Sequence, residues 1–348
     1  MTVLGPIDAD TLGPTLTHEH LLVDARCYWQ EPDDPQLRQL ALAPVDITNL
    51  HVIRRNPYLI RDNAVLDDPD LTVEELARFS EVGGRTVVDV TLDEIGRDPL
   101  QMVSIAQRSG LNVIAGCGHY VFLSHPESVA SETSGEIATR LIDEIRNGIA
   151  DTTVRPGIIG EIGISNPMHP QEEKVLRAAA RAHLETGLAI SIHTTPPGRN
   201  AHDVLDVLEE EGVSLNRVAI GHLDSSIDTS LDYHRSIAQR GAYVQYDDCG
   251  TEIYFPMLPN GGGCFWLPQD RDRAWAVARL TEEGFRSQIL LSQDVCNKIY
   301  LCRYGGFGYG HILRNLTTNL REEGLTNDDI HEITVTNPRR LLIPALAA

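Results

Sequence analysis

The sequence predicts an α/β fold, a (β/α)8 or TIM barrel with a long loop after strand 1. Eight short apolar or β-branched runs alternate with helix-like segments, and this alternation is typical of a parallel sheet. No Gly-rich dinucleotide-binding fingerprint is present, which favours a closed barrel over a doubly wound sheet. No linker divides the chain, so we expect residues 1–348 to form a single domain.

Composition narrows the class of partner. The 348 residues are 42% hydrophobic and 23% charged, which is typical of a globular protein with a sizeable core. The net charge of -21 argues against binding to nucleic acid or an anionic membrane surface, because both need basic patches. We therefore expect a small-molecule substrate, no nucleic acid and no membrane as partners.

The lack of a recognisable secretory signal and the cysteine usage both favour a cytoplasmic location. The N-terminal residues show no secretory signal, and no apolar run approaches the ~20 residues that span a bilayer. The six cysteines are scattered and form no CxxC pair, so we expect reduced thiols rather than a disulfide framework. These patterns predict a cytoplasmic location.

The eight runs and the helices between them follow one another along the chain. The strand-like runs cover residues 16–20, 85–91, 111–116, 157–163, 188–193, 217–222, 241–246 and 288–294. Helical segments are predicted from Thr72, where a capping box begins, to about Gly83, and then near 98–109, 134–149, 170–186, 201–211, 228–240, 271–283, 311–323 and 327–333. Asn337 followed by Pro338 predicts the N-terminal cap of a last helix.

The segment 25–72 is unusual for a connection between a first strand and a first helix. It contains five prolines and many charges without a sustained helical period. It also contains Tyr28, Trp29 and Tyr58, which favour an ordered excursion packed over one end of the fold. The alternative is a loose surface loop.

Side chains of metal-ligand type recur near the ends of these strands. His18 and His20 lie two residues apart, so in a strand they share one face while Glu19 takes the other. The carboxyl ends of the strands of a (β/α)8 barrel converge on one mouth. Six candidate ligands should therefore meet there: His18, His20, Glu161, His193, His222 and Asp294.

Four histidines and two carboxylates exceed what one zinc ion with an open position needs. They suit two metal ions that share a bridging carboxylate. Glu161, between Gly160 and Gly163, is our candidate for the bridge. His18, His20 and Asp294 would complete one metal site, and His193 and His222 the other. A hydroxide between the metals would be the nucleophile, and Asp294 would take its proton as a catalytic base.

Several stretches carry a family resemblance over nearly the whole chain. They are Leu-Thr-His-Glu-His at 16–20, Gly-Gly-Arg-Thr-Val-Val-Asp-Val-Thr at 83–91, Asp-Glu-Ile-Gly-Arg-Asp at 93–98, Gly-Ile-Ile-Gly-Glu at 157–161, Ile-Gly-His at 220–222, Ser-Gln-Asp at 292–294 and Ile-Thr-Val-Thr-Asn-Pro at 333–338. With these motifs the chain resembles the phosphotriesterase family of the amidohydrolase superfamily. The resemblance implies two divalent metal ions per chain, with Zn²⁺ expected and Mn²⁺ or Co²⁺ as alternatives, and a homodimer.

The bridge departs from the founding members of the family. They carry a carboxylated lysine where this chain has Glu161. A glutamate bridge resembles the phosphotriesterase-related branch, whose implied substrates are lactones and N-acyl amides more than phosphotriesters. The resemblance also implies that Tyr120, just beyond strand 3, lines the pocket. We hypothesise that Tyr120 is catalytic and orients or polarises the substrate carbonyl; the alternative is a wall residue only.

Charged residues after strands 7 and 8 are further candidates for substrate contacts. Asp247, Asp248 and Glu252 could recognise a cationic or hydroxyl-rich group, although solvated loop acids are the more ordinary interpretation. Lys298 and Arg303 could meet an anionic group. The remaining histidines, such as His119 and His169, have no such placement and are interpreted as ordinary.

These observations predict a binuclear metal-dependent hydrolase, lactonase- or amidohydrolase-like, that attacks a lactone or a carboxylic amide or ester. The alternative reaction is hydrolysis of a phosphotriester or phosphoester by the same centre. A non-catalytic barrel that binds a small molecule or a protein is the alternative from another class, and the presence of all six ligand positions argues against it.

Overall fold

A single eight-stranded parallel sheet forms the centre of the protein, and its strands are neighbours in chain order. The structure, a computed structural model, describes residues 1–257 and 263–344. The predicted domain 1–348 thus includes nine residues that lie outside the described part. The strands are β1 (Thr15–Glu19), β2 (Thr86–Asp89), β3 (Asn112–Cys117), β4 (Ile158–Ile164), β5 (Ile190–Thr194), β6 (Val218–Ile220), β7 (Tyr243–Tyr246) and β8 (Ile289–Leu291). This is the predicted (β/α)8 barrel.

Polar side chains connect β8 to β1, the two end strands of the nearly closed sheet. The backbone N–H of His18 donates to Ser292 Oγ at 3.0 Å, and that hydroxyl donates to Glu19 Oε1 at 2.7 Å. The Glu19 carboxylate also accepts from the backbone N–H groups of Gln293 and Val295. Glu19 therefore points away from the two histidines beside it, as the strand alternation predicts, and ties β1 to the loop after β8.

Helices cover the outside of the barrel. They are α1 (Pro69–Glu81), α2 (Pro99–Ser109), α3 (Ser134–Asn147), α4 (Pro170–Thr186), α5 (Ala201–Glu210), α6 (Asp232–Gln239), α7 (Asp270–Glu282) and α8 (Thr317–Glu322), with further helices of four to seven residues at Pro35–Ala41, Leu50–Ile53, Glu127–Ser131, Asn327–His331 and Asn337–Leu342. Two short π-helical segments, Ile312–Leu316 and Glu332–Thr336, precede α8 and the last helix. Among the described residues, no helix has the length and apolar character needed to cross a membrane.

Two predicted helix starts are wrong. The first helix begins at Pro69 rather than Thr72, because the Asp68 carboxylate accepts from the first-turn N–H groups and Pro69 suits the first helical position. Asn337 is not an N-terminal cap. Its backbone is already helical, and its side chain donates instead to the carbonyls of Arg286 and Ile289, at 2.8 Å each.

The segment 25–72 is ordered, as predicted. A two-residue strand, Val23–Asp24, pairs with Val65–Leu66 and closes the excursion at its base. Tyr28 is buried and its ring lies 5.0 Å from that of Tyr58. Both rings line the cavity at the barrel mouth, so the segment forms part of the wall above the predicted site.

One cluster of buried apolar side chains draws on six of the strands and is separate from the layer between strands and helices: Val88, Ile114, Ile158, Ala219, Tyr243 and Leu290. Leu12 and the last helix, through Leu341 and Leu342, pack against this cluster. A TIM barrel is a packed core rather than a pore, and its carboxyl-end mouth holds the active site. With this apolar cluster inside the barrel, the carboxyl-end mouth is left for polar side chains.

Candidate metal centre

The six predicted ligands meet at the carboxyl-end mouth of the barrel. Strands β1, β6 and β8 end slightly earlier than predicted, so three ligands follow their strands: His20 by one residue, His222 by two and Asp294 by three. His18 and His193 lie within β1 and β5, and Glu161 occupies the middle of β4. All are buried except Asp294, whose side chain is 14% exposed.

The Glu161 carboxylate contacts three of the histidines. Its Oε2 atom lies 3.2 Å from His18 Nε2 and 3.1 Å from His193 Nδ1. Its Oε1 atom lies 3.3 Å from His20 Nε2. One carboxylate thus reaches nitrogens of both predicted metal sites, which is the arrangement that a bridging ligand needs.

The remaining ligands complete the two halves of the cluster. Asp294 Oδ1 lies 3.2 Å from His20 Nε2 and 4.0 Å from His18 Nε2. His222 Nε2 lies 2.8 Å from His193 Nδ1. Donor atoms of His18, His20 and Asp294 lie within 4.8 Å of one another, as do those of His18, Glu161 and His222.

These residues fit divalent metal ions. His18 Nε2, Glu161 Oε1 and Asp294 Oδ1 are buried and have no hydrogen-bond partner within the part of the chain that the structure describes. A buried polar atom without a partner costs free energy, and these atoms face one another in the cluster. Imidazole and carboxylate ligands suit zinc and similar transition-metal ions.

Close strand packing places Glu161. The preceding Gly160 has a φ of +129°, and an added Cβ would lie 2.3 Å from the carbonyl oxygen of Ser191 in β5. Only glycine tolerates that approach. His222 and Asp294 have positive φ values of 57° and 45°, which are uncommon for residues with a Cβ. Such strained backbone occurs often at functional sites, and here it turns two ligands into the mouth.

The pKa values in the cluster reflect strong coupling between carboxylates and imidazoles. Burial raises the pKa of Glu161, but the charge of His18 and the contacts with His193 and His20 outweigh it and hold that pKa well below its usual value. Burial lowers the pKa of His20, but Asp294 and Glu161 raise it well above 6.5. The carboxylates thus strongly favour positive charge at the centre.

Two residues that position the ligand histidines were not predicted from the sequence. Asp247, fully buried after β7, places Oδ2 3.2 Å from His18 Nδ1 and Oδ1 3.0 Å from His222 Nδ1. Thr91 Oγ1 lies 2.8 Å from His20 Nδ1. Such partners orient a ligating imidazole. The position of Asp247 at the end of β7 is the available signal, although the sequence alone favours a solvated loop acid or a substrate contact there.

Behind Asp247, a buried ion-pair network supports the loops after β6 and β7. Asp224 Oδ2 accepts from the backbone N–H of Asp247, and its Oδ1 accepts from Arg273 Nε at 2.5 Å. Arg273 also donates to Asp270 at 2.9 Å and to the carbonyl of Thr251 at 3.0 Å. Arg273 and Asp224 are fully buried.

A cavity lined largely by aromatic and aliphatic side chains opens above the cluster. Tyr120 lines it, and its hydroxyl lies 2.9 Å from the hydroxyl of Tyr28 and 3.4 Å from His193 Nδ1. Burial raises the pKa of Tyr120 well above 10, so the hydroxyl keeps its proton. Tyr120 is therefore placed where the sequence predicts.

The charged residues that the sequence offers as substrate contacts lie in different surroundings. Asp248 lines the cavity, whereas Glu252 is exposed and accepts from the backbone N–H of Asp270. Lys298 pairs with Asp62 at 2.6 Å, and Arg303 is exposed; neither lines the cavity. A contact of these two cations with an anionic group of the substrate stays a prediction.

The histidines that we interpreted as ordinary make local contacts. His119 pairs with Glu94, and His169 caps α4 by accepting from the N–H of Gln171. Neither belongs to the metal-ligand groups found among the described residues.

Known proteins resemble this chain over nearly its whole length. The sequence profile described as "Phosphotriesterase family" matches residues 1–342. An N-acetyltaurine hydrolase of Salmo salar is 35% identical over 347 residues, which are 98% of this chain and 97% of that protein.

Solved structures also resemble this chain over nearly its whole length. A resiniferatoxin-binding protein from Rhodobacter sphaeroides is 40% identical, with a TM-score of 0.94, covering 98% of this chain and 94% of that one. A phosphotriesterase homology protein from Escherichia coli, complexed with phosphate in its active site, is 29% identical, with a TM-score of 0.76, over 96% and 100%. The lactonase Lmo2620 from Listeria monocytogenes is 25% identical, with a TM-score of 0.77, over 99% and 98%.

Proposed function

We propose, on the premise that the chain belongs to the phosphotriesterase family, that this hydrolase uses two divalent metal ions to cleave a lactone or a carboxylic amide or ester. The observation that carries the proposal is the contact of one carboxylate, Glu161, with the three histidines His18, His20 and His193. A centre of this kind has the ligands for two ions and leaves a cavity above them for substrate.

The residues divide between the two ions. His18, His20 and Asp294 would hold one, His193 and His222 the other, and Glu161 would bridge them. Two divalent ions supply a water of lowered pKa and an electrophile for a carbonyl oxygen. We propose Zn²⁺ as the metal, with Mn²⁺ and Co²⁺ as alternatives.

The chain's own residues would then handle the proton and the substrate. Asp294 directs Oδ1 into the cluster, and its Oδ2 lies 3.6 Å from Cys296 Sγ, so one oxygen can bind metal while the other takes a proton. Tyr120 presents a protonated hydroxyl to the cavity and would orient the carbonyl oxygen. Asp247 would hold His18 and His222 in their ligating orientation.

Relatives support a carbonyl substrate. One is named an N-acetyltaurine hydrolase and another a lactonase, and both reactions open a carbonyl–heteroatom bond. The phosphate in the active site of the Escherichia coli homologue favours phosphoester hydrolysis as the second candidate function.

A paired assay decides between the two reactions. Zinc- or manganese-loaded protein and a chelated control would each receive a panel of lactones and N-acyl amides, and separately an activated aryl phosphotriester. We expect chelator-sensitive turnover of a carbonyl substrate about 100-fold or more above the phosphotriester, a difference of about 3 kcal/mol in transition-state stabilisation. Faster phosphotriester turnover would promote the second candidate, and no chelator-sensitive turnover would contradict a hydrolytic role for the cluster.

We also propose that the enzyme acts in the cytoplasm and forms a homodimer. The cysteines among the described residues are free thiols, which suits a reducing compartment. Light scattering during gel filtration would test the dimer, for which a monomer mass would be the contrary result.

A further inference from the structure

We infer that the cavity above the metal centre selects uncharged substrates with an apolar, aromatic substituent and a terminal N–H or O–H donor, and that it rejects anionic ones. This inference rests on the proposed function and names the substrate class of the same site. It separates this chain from the substrate named for its N-acetyltaurine hydrolase relatives, because taurine carries a sulfonate.

The aromatic wall comes from three segments outside the barrel strands: the excursion after β1, the short strand pair after β7 and the loop after β8. Tyr28 and Tyr58 belong to the excursion after β1, and Tyr58 lies 6.3 Å from Phe255 between ring centroids. Phe255 stacks on Phe265 across the short strand pair after β7, with centroids 5.0 Å apart and planes inclined by 7°. Together with Tyr300 these rings line the cavity, and they offer stacking surface to an aromatic group.

Cationic side chains are missing from this wall. Among the described residues, none of those that line the cavity is lysine or arginine. Residues 258–262 and 345–348, which lie outside the described part, contain no lysine or arginine either. Lys298 pairs with Asp62, and Arg55 lies 4.8 Å over the rings of both Tyr254 and Trp266. A sulfonate or carboxylate tail that lies against this wall would therefore have no lysine or arginine to balance its charge, which is costly.

Asp248 supplies the polar contact instead. The residue is 8% exposed and lines the cavity, and its Oδ2 atom has no hydrogen-bond partner within the described chain. Oδ2 lies 4.0 Å from His222 Nδ1, and donor atoms of Asp248, His222 and Asp294 lie within 4.8 Å of one another, so Asp248 stands at the edge of the metal cluster where it meets the cavity. A buried polar atom without a partner is satisfied when a substrate brings a donor, and the neighbouring carboxylates of Asp247 and Asp294 disfavour a further anion at the same place.

A matched series of amides tests this selection. N-acetyltyramine carries an aromatic ring and a hydroxyl donor, N-acetylphenethylamine has the ring alone, and N-acetyltaurine carries the anion. Binding to the intact zinc-loaded protein would be measured by calorimetry, and turnover by release of acetate. We expect N-acetyltyramine to bind about 30-fold more tightly than N-acetyltaurine, with N-acetylphenethylamine between them, as an uncompensated anion or an unpaired acceptor weakens binding by about tenfold or more.

Separate measurements of binding and turnover distinguish the proposed hydrolytic function from the proposed substrate selectivity. The expected binding order without turnover of any amide, lactone or ester would contradict the proposed function and leave the selectivity standing. Turnover of N-acetyltaurine at an equal or higher kcat/KM would support a carbonyl hydrolase and overturn the selectivity. Absence of binding by all three amides would overturn the selectivity as well.

Two substitutions test whether Asp248 is the source of this substrate preference. Asp248→Asn should reduce the advantage of N-acetyltyramine over N-acetylphenethylamine about tenfold and should narrow the gap to N-acetyltaurine. Glu252→Gln removes an exposed acid from the same loop and should leave both ratios unchanged. Equal effects of the two substitutions would show that general charge, rather than a contact of Asp248 with substrate, sets the preference. If Asp248→Asn failed to fold, the order of binding to the natural protein would still decide.

Discussion

Oδ1 of Asp247 lies 3.0 Å from Nδ1 of His222, on the side of the imidazole opposite the Nε2 atom that faces the cluster. The same carboxylate contacts His18 through its other oxygen. Burial raises the pKa of Asp247, but the charges of His222 and His18 outweigh it and lower the pKa overall. One acid thus orients a ligand in each half of the proposed centre.

Asp247→Asn should weaken metal binding about 10- to 100-fold, because an amide cannot accept from both imidazoles. Competition with a metal-binding dye would measure the change in affinity, and Asp203→Asn on the exposed side of α5 is a control. Unchanged metal affinity in a folded Asp247→Asn protein would show that the two histidines do not need this acid.

Glu161→Ala should lose at least one of the two metal ions and reduce kcat/KM by about 1000-fold or more, because two ions would then face each other without a shared anion. Metal analysis of the purified variant gives the stoichiometry, and Glu172→Ala tests whether loss of another buried acid has a similar effect. A metal-replete and active Glu161→Ala protein would show that the bridge is misplaced.

Tyr120→Phe should lower kcat about tenfold with metal content unchanged, because one hydrogen bond to the substrate is lost while the ring remains. Tyr28→Phe is the matched change, since its hydroxyl contacts that of Tyr120. It should cost less, because its hydroxyl would affect the substrate carbonyl through the hydroxyl of Tyr120. Full turnover in Tyr120→Phe would leave Tyr120 as a wall residue.

Arg273→Met should reduce the free energy of unfolding by about 3–5 kcal/mol, because Asp224 would stay buried without its countercharge. Urea denaturation measures the loss. Arg271→Met, on the exposed face of the same helix α7, should change stability by less than about 0.5 kcal/mol. A similarly small change for Arg273 would mean that water or a proton compensates Asp224.

His234 should make the protein less stable in acid. Burial lowers its pKa from 6.5 to about 4, and its Nε2 atom lies 3.0 Å from both Ser226 Oγ and the Leu223 carbonyl. Between pH 6.5 and 4 the unfolded chain binds a proton there and the folded chain does not, so stability falls as the pH falls, by up to about 3 kcal/mol.

His234→Gln should remove that part of the pH dependence. The comparison is the difference in unfolding free energy between natural protein and variant at pH 7 and pH 4.5, in which effects of metal loss cancel. His51→Gln removes an exposed histidine and serves as the control. A parallel fall in both the natural protein and His234→Gln would assign the acid sensitivity elsewhere.

Local patterns predicted much of this molecule. The β-branched runs found all eight barrel strands, because buried parallel strands read as continuous apolar segments. Their spacing placed the six candidate ligands at one mouth, since strand ends converge in a barrel. The motifs also identified the family correctly. The helices that begin at Pro69 and Asn337 start earlier than the sequence predicts. Asp68 caps the first of them, and the side chain of Asn337 donates to a distant carbonyl, and composition does not reveal either contact.

The sequence by itself determined the barrel, the family and the residue types of the centre, because each depends on short-range periodicity or on motifs. Only the tertiary structure decided which of the acids after β7 contacts the ligand histidines, which lines the cavity and which faces solvent. Asp247 turns beneath two ligands, Asp248 faces the cavity, and Glu252 faces solvent. It also decided that Lys298 pairs with Asp62 and does not line the cavity. These outcomes depend on contacts between segments far apart in the chain, where packing and charge pairing select among conformations that are locally equivalent.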